Sequence, residues 1–353
     1  MTSYPQQSEY KASIPQETVL KAVAAFPLGN PTDMRPGGGT ASPKTVFRSD
    51  GDVYLLRRRR SEFCPENRVR FDHGFVRHLA EAGLPVASPL VARDGRTWVV
   101  DGGHTYEIVP FIEGLAIGRL NSASQMVAAA SMLGRLHRAS RSFSPPTEKD
   151  LGRDLYLPRY LHLLEEQLDA RRTHDASLRD VGQRMLEMAK EVVVDVERAR
   201  PDDLSPLAVH GDYMPGNVMF RADEVGGIFD FDWATMTSRV WDVARGILHF
   251  AFRRRTRLNP DEITSLTEAM TPDLDRASSF LSAYTAAMPA LSAQEEEILP
   301  LFIREALLCM RIGGMRKVPV ERRLAYATEG MEPLLDWIET SVESFVSRLT
   351  AGA

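Results

Sequence analysis

"VHGDYMPGNVMF" (residues 209–220) and "GGIFDFD" (residues 226–232) decide how this chain is read. Asp212 and Asn217 bracket a four-residue turn, 213–216. Pro215 and Gly216 bend the chain there, so both polar side chains can face one point. Residues 218–220 leave as a strand, 221–227 turn the chain back, and Ile228 and Phe229 lead to Asp230. A hairpin of this length predicts Asp230 close to Asn217. An amide and carboxylates are hard oxygen ligands, suited to Mg²⁺ when phosphate oxygens complete the shell. Asp212 is left to take or orient a proton. These are the parts needed to move a phosphoryl group to a hydroxyl, a reaction that asks mainly for positioning and charge stabilisation.

The surrounding chain is ordinary globular material. It has 353 residues, 43% hydrophobic and 26% charged, enough for two domains or two unequal lobes. The net charge of −5 argues against a nucleic-acid scaffold, whose footprint is usually basic. Cys64 and Cys309 lie far apart without metal-ligand spacing and read as reduced thiols of a cytoplasmic protein. The polar start "MTSYPQQSEYKASIP" has no apolar signal region, and no apolar run approaches a membrane span. The expected partners are therefore a nucleotide and a small molecule, with neither nucleic acid nor membrane, in a monomer or homodimer.

Periodicity divides the chain further. Residues 1–30 read as a tail and a short helix from Gln16 to Phe26, and 31–106 as a β-rich lobe. In that lobe the turn at residues 49–52 and the "DGG" at 101–103 mark hairpins. One helix follows the third strand and ends at Gly83 and Pro85. Residues 107–114 form a connector, and 115–353 a helical lobe. That lobe opens with a Ser122-x-x-Gln125 capping box and continues with helices at about 155–170, 178–199, 239–253, 261–270, 275–288, 293–316 and 320–349. Its only strand-like interruption is 207–232. The fold class is α+β: a small antiparallel β lobe with one helix, then a larger helical lobe carrying a β-hairpin.

The H-G-D-x-x-x-x-N run at 210–217, followed by the I-x-D-x-D strand at 228–232, resembles the aminoglycoside phosphotransferase and choline kinase-like superfamily of small-molecule kinases. "LGRLH" at 133–137 and "WDVA" at 241–244 add to the likeness, which runs from about Arg35 to the mid-250s and more loosely to the C-terminus. The resemblance implies a two-lobed, protein-kinase-like fold, with ATP or GTP and Mg²⁺ as cofactors. The acceptor would be a hydroxyl on an antibiotic, such as an aminoglycoside or nucleoside, or on a sugar or amino-alcohol metabolite. Asp212 becomes the catalytic base and Asn217 and Asp230 the metal ligands. His210 and Asp242 brace the catalytic loop, with Asp232 in support or simply exposed. Glu107 and Val109, in the connector, offer backbone groups to the base of the nucleotide. Candidate substrate contacts in the helical lobe are Asp154, Tyr156, Tyr160, Glu305 and Arg311.

The chain departs from the family pattern at the phosphate-holding lysine. "VYLLRRRR" offers Arg57 at that place, with Asp72 as its helix partner instead of a glutamate and Lys44 as a substitute cation. Strand alternation sends Arg57 and Arg59 to one face and Arg58 and Arg60 to the other, so one functional arginine and several solvated ones are expected. "PGGGT" at 36–40 fits neither G-x-G-x-x-G nor the P-loop. His137, on an apolar stripe, reads as a hydrogen-bonded core residue, and "EEE" at 295–297 as a solvated helix start. Two rival readings are a catalytically inactive nucleotide-binding module and a metallophosphoesterase. The second is disfavoured because His210 is the only histidine in the cluster.

Overall fold

The computed structural model describes residues 13–37, 42–114, 121–149, 151, 157–169, 175–200, 204–256, 268 and 270–351. The chain divides into two compact units. The first runs up to Gly114 and also takes in Ser142–Lys149 and Gly226–Asp232; the second holds the rest. A single cut near residue 114 therefore misplaces two short segments, because burial partners rather than sequence order define the units.

The first unit is built on a five-stranded antiparallel sheet of β1 (Thr32–Pro36), β2 (Lys44–Ser49), β3 (Asp52–Arg58), β4 (Val99–Asp101) and β5 (His104–Pro110), in the order β1-β2-β3-β5-β4. Two tight turns set its register. Asp50 and Gly51, both at positive φ, join β2 to β3 and pair Ser49 with Asp52. Gly102 and Gly103, also at positive φ, join β4 to β5 and pair Asp101 with His104. Positive φ at both central residues is the geometry that follows the natural twist of a hairpin. Helix α1 (Gln16–Ala24) buries Val19, Ala22 and Val23 in a core with Phe47, Leu56, Tyr106 and Ile108 of the sheet. Helix α2 (Glu66–Glu81) follows β3 and buries Phe71 and Phe75 against Phe143. It buries Asp72 and His73 as well.

The second unit is mainly helical. It contains α3 (Ala123–Ser140), α4 (Leu157–Asp169), α5 (Ala176–Ala199), α6 (Val240–Gly246), α7 (Leu274–Ala287), α8 (Ala293–Gly314), α9 (Arg323–Thr328), α10 (Glu332–Thr340) and α11 (Val342–Thr350). Ser122 caps α3 by accepting from the Gln125 backbone N–H. The long terminal helix expected over 320–349 is instead three short ones. Gly330 takes a left-handed turn between the first two, and the chain leaves helical geometry again at Ser341. The helix expected at 261–270 lies outside the described residues, save for 268 and 270. Strands are also more numerous than expected. Besides the hairpin β7 (Val218–Arg221) and β8 (Glu224–Ile228), β6 (Leu207–Val209) pairs with β9 (Thr235–Thr237), and β10 (Arg253–Arg254) with β11 (Met270–Thr271).

The "EEE" start of α8 is corrected as well. Glu295 is buried, closes a capping box with Ser292, and accepts two bonds of 2.8 Å from the Arg239 fork. Helices α3 and α7 meet where Gly134 has no side chain. A Cβ there would stand 2.6 Å from the Tyr284 carbonyl oxygen and 2.9 Å from Ala287 Cβ. Gly134→Val is expected to cost about 1–3 kcal/mol by overpacking, read as a lowered urea midpoint. An unchanged midpoint would show that the helices can part at no cost.

Candidate active site

The loop carrying Asp212 is held from behind by a buried carboxylate. Asp242, at the start of α6, is fully buried. Its Oδ2 accepts from the His210 backbone N–H at 2.7 Å, and its Oδ1 from the Gly211 N–H at 2.9 Å. His137 Nε2 lies 3.2 Å from Oδ2, while its Nδ1 is 2.9 Å from the Tyr284 hydroxyl. Burial works against ionisation of Asp242, but the bonds from His137 and His210 prevail and hold its pKa below the usual carboxylate value. The two stretches "LGRLH" and "WDVA" thus meet through this one bond pair.

Gly211 makes the loop possible. It sits at φ +82°, and a Cβ would come within 2.1 Å of the Trp233 carbonyl oxygen. Beyond it, the Asp212 backbone N–H donates to His210 Nδ1 at 3.2 Å. Tyr213, fully buried, anchors the turn by donating to the Ala129 carbonyl at 2.7 Å. Pro215 starts a short 3₁₀ turn that ends at Asn217. The Asn217 amide then donates to the Asp212 carbonyl at 2.8 Å and to its carboxylate at 2.9 Å. This fixes the Asp212 carboxylate and turns the amide oxygen of Asn217 away from it. Asp212 and Asn217 remain half-buried.

Asp212 borders a cavity of about 120 Å³ in the second unit. Its polar walls include Tyr160, Arg245, His249, Arg316 and Lys317. Of the expected substrate contacts, Tyr160 lines this cavity. Glu305 stands behind it, buried and bound to Arg245 at 2.9 Å. Arg311 does not line it: it is fully buried elsewhere, and burial pushes its pKa down to about 10. Asp154 and Tyr156 lie outside the described residues. Arg245, His249, Arg316 and Lys317 escaped sequence reading, because they are spread over α6, its extension and the turn that follows α8, with no spacing that marks a site.

In the first unit, Arg57 does not pair with Asp72. Its Nε donates to Glu107 at 2.7 Å, its Nη1 to Asp230 at 3.0 Å and its Nη2 to Asp232 at 2.6 Å. Asp72 pairs with Arg59 and Lys149 instead. Arg59 also bonds Glu107 at 2.9 Å, and His73 Nε2 reaches the same carboxylate oxygen at 2.8 Å. Strand alternation explains why Arg57 and Arg59 share these partners. Arg59 is buried rather than solvated, and Asp232 is buried rather than exposed, which corrects both expectations. The Glu107 side chain joins the same cluster. Glu107 lies within β5, opposite Arg57; Val109 pairs with Leu55 in the same strand. Lys149, in a proline-broken segment, carries no signal in the sequence.

Burial opposes ionisation at Glu107 and Asp232, but Arg57 and Arg59 overcome it and hold both well below their usual range. For Asp72 burial dominates and its pKa is raised. Lys44 stands across from Arg57 in β2, and burial lowers its pKa although Asp230 and Asp232 favour its charge. Among the described residues Lys44 makes no ion pair. Asp230 itself occupies left-handed backbone at φ +60°, uncommon for a non-glycine residue. No three acidic, histidine or cysteine side chains gather to bind a metal among the described residues.

Residues 33–279 match the family model described as the phosphotransferase enzyme family. The chain belongs to that family. Curated relatives include a homoserine kinase of Phenylobacterium zucineum, 26% identical over 300 residues, covering 84% of this chain and 83% of the relative. Another, from Rhizobium meliloti, is 26% identical over 302 residues and covers 84% and 82%. Among solved structures, an amicoumacin kinase in complex with AMP-PNP and Ca²⁺ matches at a TM-score of 0.68 and 14% identity, covering 98% of this chain and all of that one. An aminoglycoside phosphotransferase from Alicyclobacillus acidocaldarius matches at 0.62 and 19%, covering 94% and 97%. At these identities the structural likeness is one of fold. This phosphotransferase is an ATP-dependent kinase of small molecules that bear a hydroxyl acceptor. None of these relatives supports the inactive-module alternative. No helix among the described residues is long and apolar enough to cross a membrane.

The buried cluster sets an acid limit on stability. Glu107 and Asp232 have folded pKa values below their ordinary 4.5 and 3.8. Their contribution is therefore complete above about pH 5 and is lost as pH falls through the folded values; Asp72, raised, acts in the opposite sense. Glu107→Gln takes one buried carboxylate from both Arg57 and Arg59 and is expected to cost about 3–5 kcal/mol at pH 7. It should also flatten the acid slope of the urea midpoint. A variant with wild-type midpoint and slope would show that the cluster contributes nothing.

Proposed function

We propose that this phosphotransferase phosphorylates a small hydroxyl-bearing metabolite, with Asp212 as the group that aligns the hydroxyl and receives its proton. The observation that carries this reading is the placement of Asp212 on the cavity wall with its carboxylate held by Asn217. A fixed acceptor for the hydroxyl proton favours attack of the hydroxyl oxygen on the γ-phosphorus. The bond to the bridging oxygen breaks and ADP leaves. The cavity volume of about 120 Å³ supports a metabolite over an antibiotic, since sites for drug-sized ligands hold roughly 300–1,000 Å³. The homoserine kinase names of the curated relatives point the same way.

Asn217 in the second unit and Asp230 in the first each offer an oxygen ligand suited to Mg²⁺, an ion commonly bound by one or two carboxylates plus phosphate oxygens. The amide oxygen of Asn217, turned away from Asp212, and the half-exposed Asp230 carboxylate are of the right chemical kind. The metal would supply charge neutralisation as the phosphoryl group moves. His210 and Asp242 act by shaping the loop.

For the phosphates of ATP we favour Lys44 over Arg57. Each Arg57 nitrogen already donates to a carboxylate, and re-using it would strand buried charge. Lys44 sits beside it and makes no ion pair among the described residues.

Asp212→Asn is expected to lower kcat by about 10²–10⁴-fold while ATP still binds, as titration calorimetry would report. Full turnover by this variant would remove Asp212 from the chemistry. Lys44→Met should raise KM for ATP by about 10-fold or more, with a smaller change in acceptor KM. The reverse pattern would return the phosphate role to Arg57.

A further inference from the structure

The helix that braces the Asp212 loop also builds part of the cavity wall, and this inference rests on the assignment of that cavity as the acceptor site. Asp242 lies in the first turn of α6 and holds the His210 and Gly211 backbone. About two helical turns further on, His249 lines the cavity beside Asp212. One stretch of helix therefore places both the loop and an imidazole.

That stretch does not continue as a regular α-helix. Ile247–Ala251 form a π-helical turn, closed by the Phe252 N–H donating to the Ile247 carbonyl at 3.3 Å. Such turns are rare and are frequently found at functional sites. The end of this one is clamped. Arg276, from α7, donates its Nε to the Ala251 carbonyl and its Nη2 to the Phe250 carbonyl, both at 2.9 Å. Its Nη1 donates to the Asn121 carbonyl at 2.9 Å, which fixes the guanidinium itself. The fold thus sets the position of His249 before any ligand arrives.

The imidazole held there is 8% exposed, and its Nδ1 is buried without a hydrogen bond. A buried ring nitrogen left without a partner lowers stability. Burial, followed by the charges of Arg254 and Arg245, pushes the imidazole pKa well below its ordinary 6.5, so the ring is neutral at physiological pH. A neutral imidazole carries one N–H and one lone pair. The nitrogen that finds no acceptor is the place for the lone pair, and the two nearby cations favour a lone pair over an N–H. The proton then sits on Nε2, the nitrogen left to meet a ligand. Packing does not demand a histidine here. Ala306 and Met310 on the same wall are apolar, and a phenyl ring would fill the space without stranding a nitrogen.

We propose that His249 recognises the acceptor molecule by donating its Nε2–H to an oxygen other than the one that faces Asp212. A donor on the attacking oxygen would draw on the electron pair that the reaction needs, so the recognised oxygen is a different one. The compounds selected carry a second oxygen function, a hydroxyl, carbonyl or carboxyl, at that place. An ammonium group there would bring hydrogens against an N–H.

The test uses the full-length protein and three substitutions. His249→Gln puts an amide N–H close to the place of Nε2, His249→Asn puts one near that of Nδ1, and His249→Phe keeps the ring shape with neither. Steady-state rates with ATP are measured for 1,3-propanediol and 3-amino-1-propanol, which differ as hydroxyl against ammonium, and for L-homoserine and D-ribose. With the acceptor of highest kcat/KM, Phe and Asn should raise the acceptor KM by about 5-fold or more, with a smaller change in kcat, while Gln stays near wild type. The urea midpoint of His249→Phe should equal or exceed that of wild type, since an unpartnered nitrogen is removed. Nitrogen-15 spectra of labelled histidine, assigned against the Gln variant, should show the proton on Nε2. An unchanged acceptor KM in Phe, rescue by Asn instead of Gln, a proton on Nδ1, or preference for 3-amino-1-propanol over 1,3-propanediol each overturns the proposal and leaves the kinase reading intact. A lowered midpoint with kcat and KM disturbed together in all three variants marks a structural role and overturns it as well. If the Phe variant does not fold, the Gln and Asn pair decides. Turnover of none of the four acceptors removes the acceptor-site reading, and the proposal falls with it.

Discussion

The loop that carries Asp212 depends on one buried carboxylate. Asp242 has no water to solvate it and must find its donors within the protein, since an unpaired buried charge costs several kcal/mol. It finds them in the backbone N–H groups of His210 and Gly211 and in His137. Meeting that demand fixes the path of the chain immediately before Asp212. The close approach of Gly211 to the Trp233 carbonyl is a consequence: only a residue without Cβ passes there. Tyr284 extends the constraint, because its hydroxyl meets His137 and its backbone carbonyl packs on Gly134. Core packing and the position of Asp212 are therefore parts of one arrangement.

The first unit solves a different electrostatic problem. Arg57, Arg59 and Lys149 share a buried region with Asp72, Glu107 and Asp232, and Asp230 lies at its half-exposed edge. Such a cluster gains little net stability over apolar packing, but it is costly to break. It sets where Asp230 points, since Arg57 ties one carboxylate oxygen while the backbone at that residue stays in left-handed geometry. Strained backbone persists only where its surroundings over-determine it. Here the neighbouring ion pairs provide that determination.

Fold and acceptor choice are separate matters in this family. The same architecture accommodates proteins described as amicoumacin kinase, aminopropanol kinase and aminoglycoside phosphotransferase. A shared scaffold therefore carries no information on which hydroxyl is used. In this chain the wall around Asp212 encloses about 120 Å³, with side chains drawn from α6 and its extension and from α8 and the turn that follows it.

The order of most elements, the hairpin turns and the turn from Asp212 to Asn217 were legible in the sequence. Each rests on local chemistry: Asp50-Gly51 accepts positive φ, Ser122 caps a helix, and the spacing from Asp212 to Asn217 spans one turn. The partners of Arg57, Asp72 and Glu107 were not legible, nor was the membership of 142–149 and 226–232 in the first unit. Those outcomes depend on which charges are excluded from water together, and residues far apart in the chain decide that. Lys149 is 77 positions from Asp72, and Arg316 is 156 from Tyr160. Local pattern determines what a segment can become, whereas burial in three dimensions determines which of its polar groups must find one another.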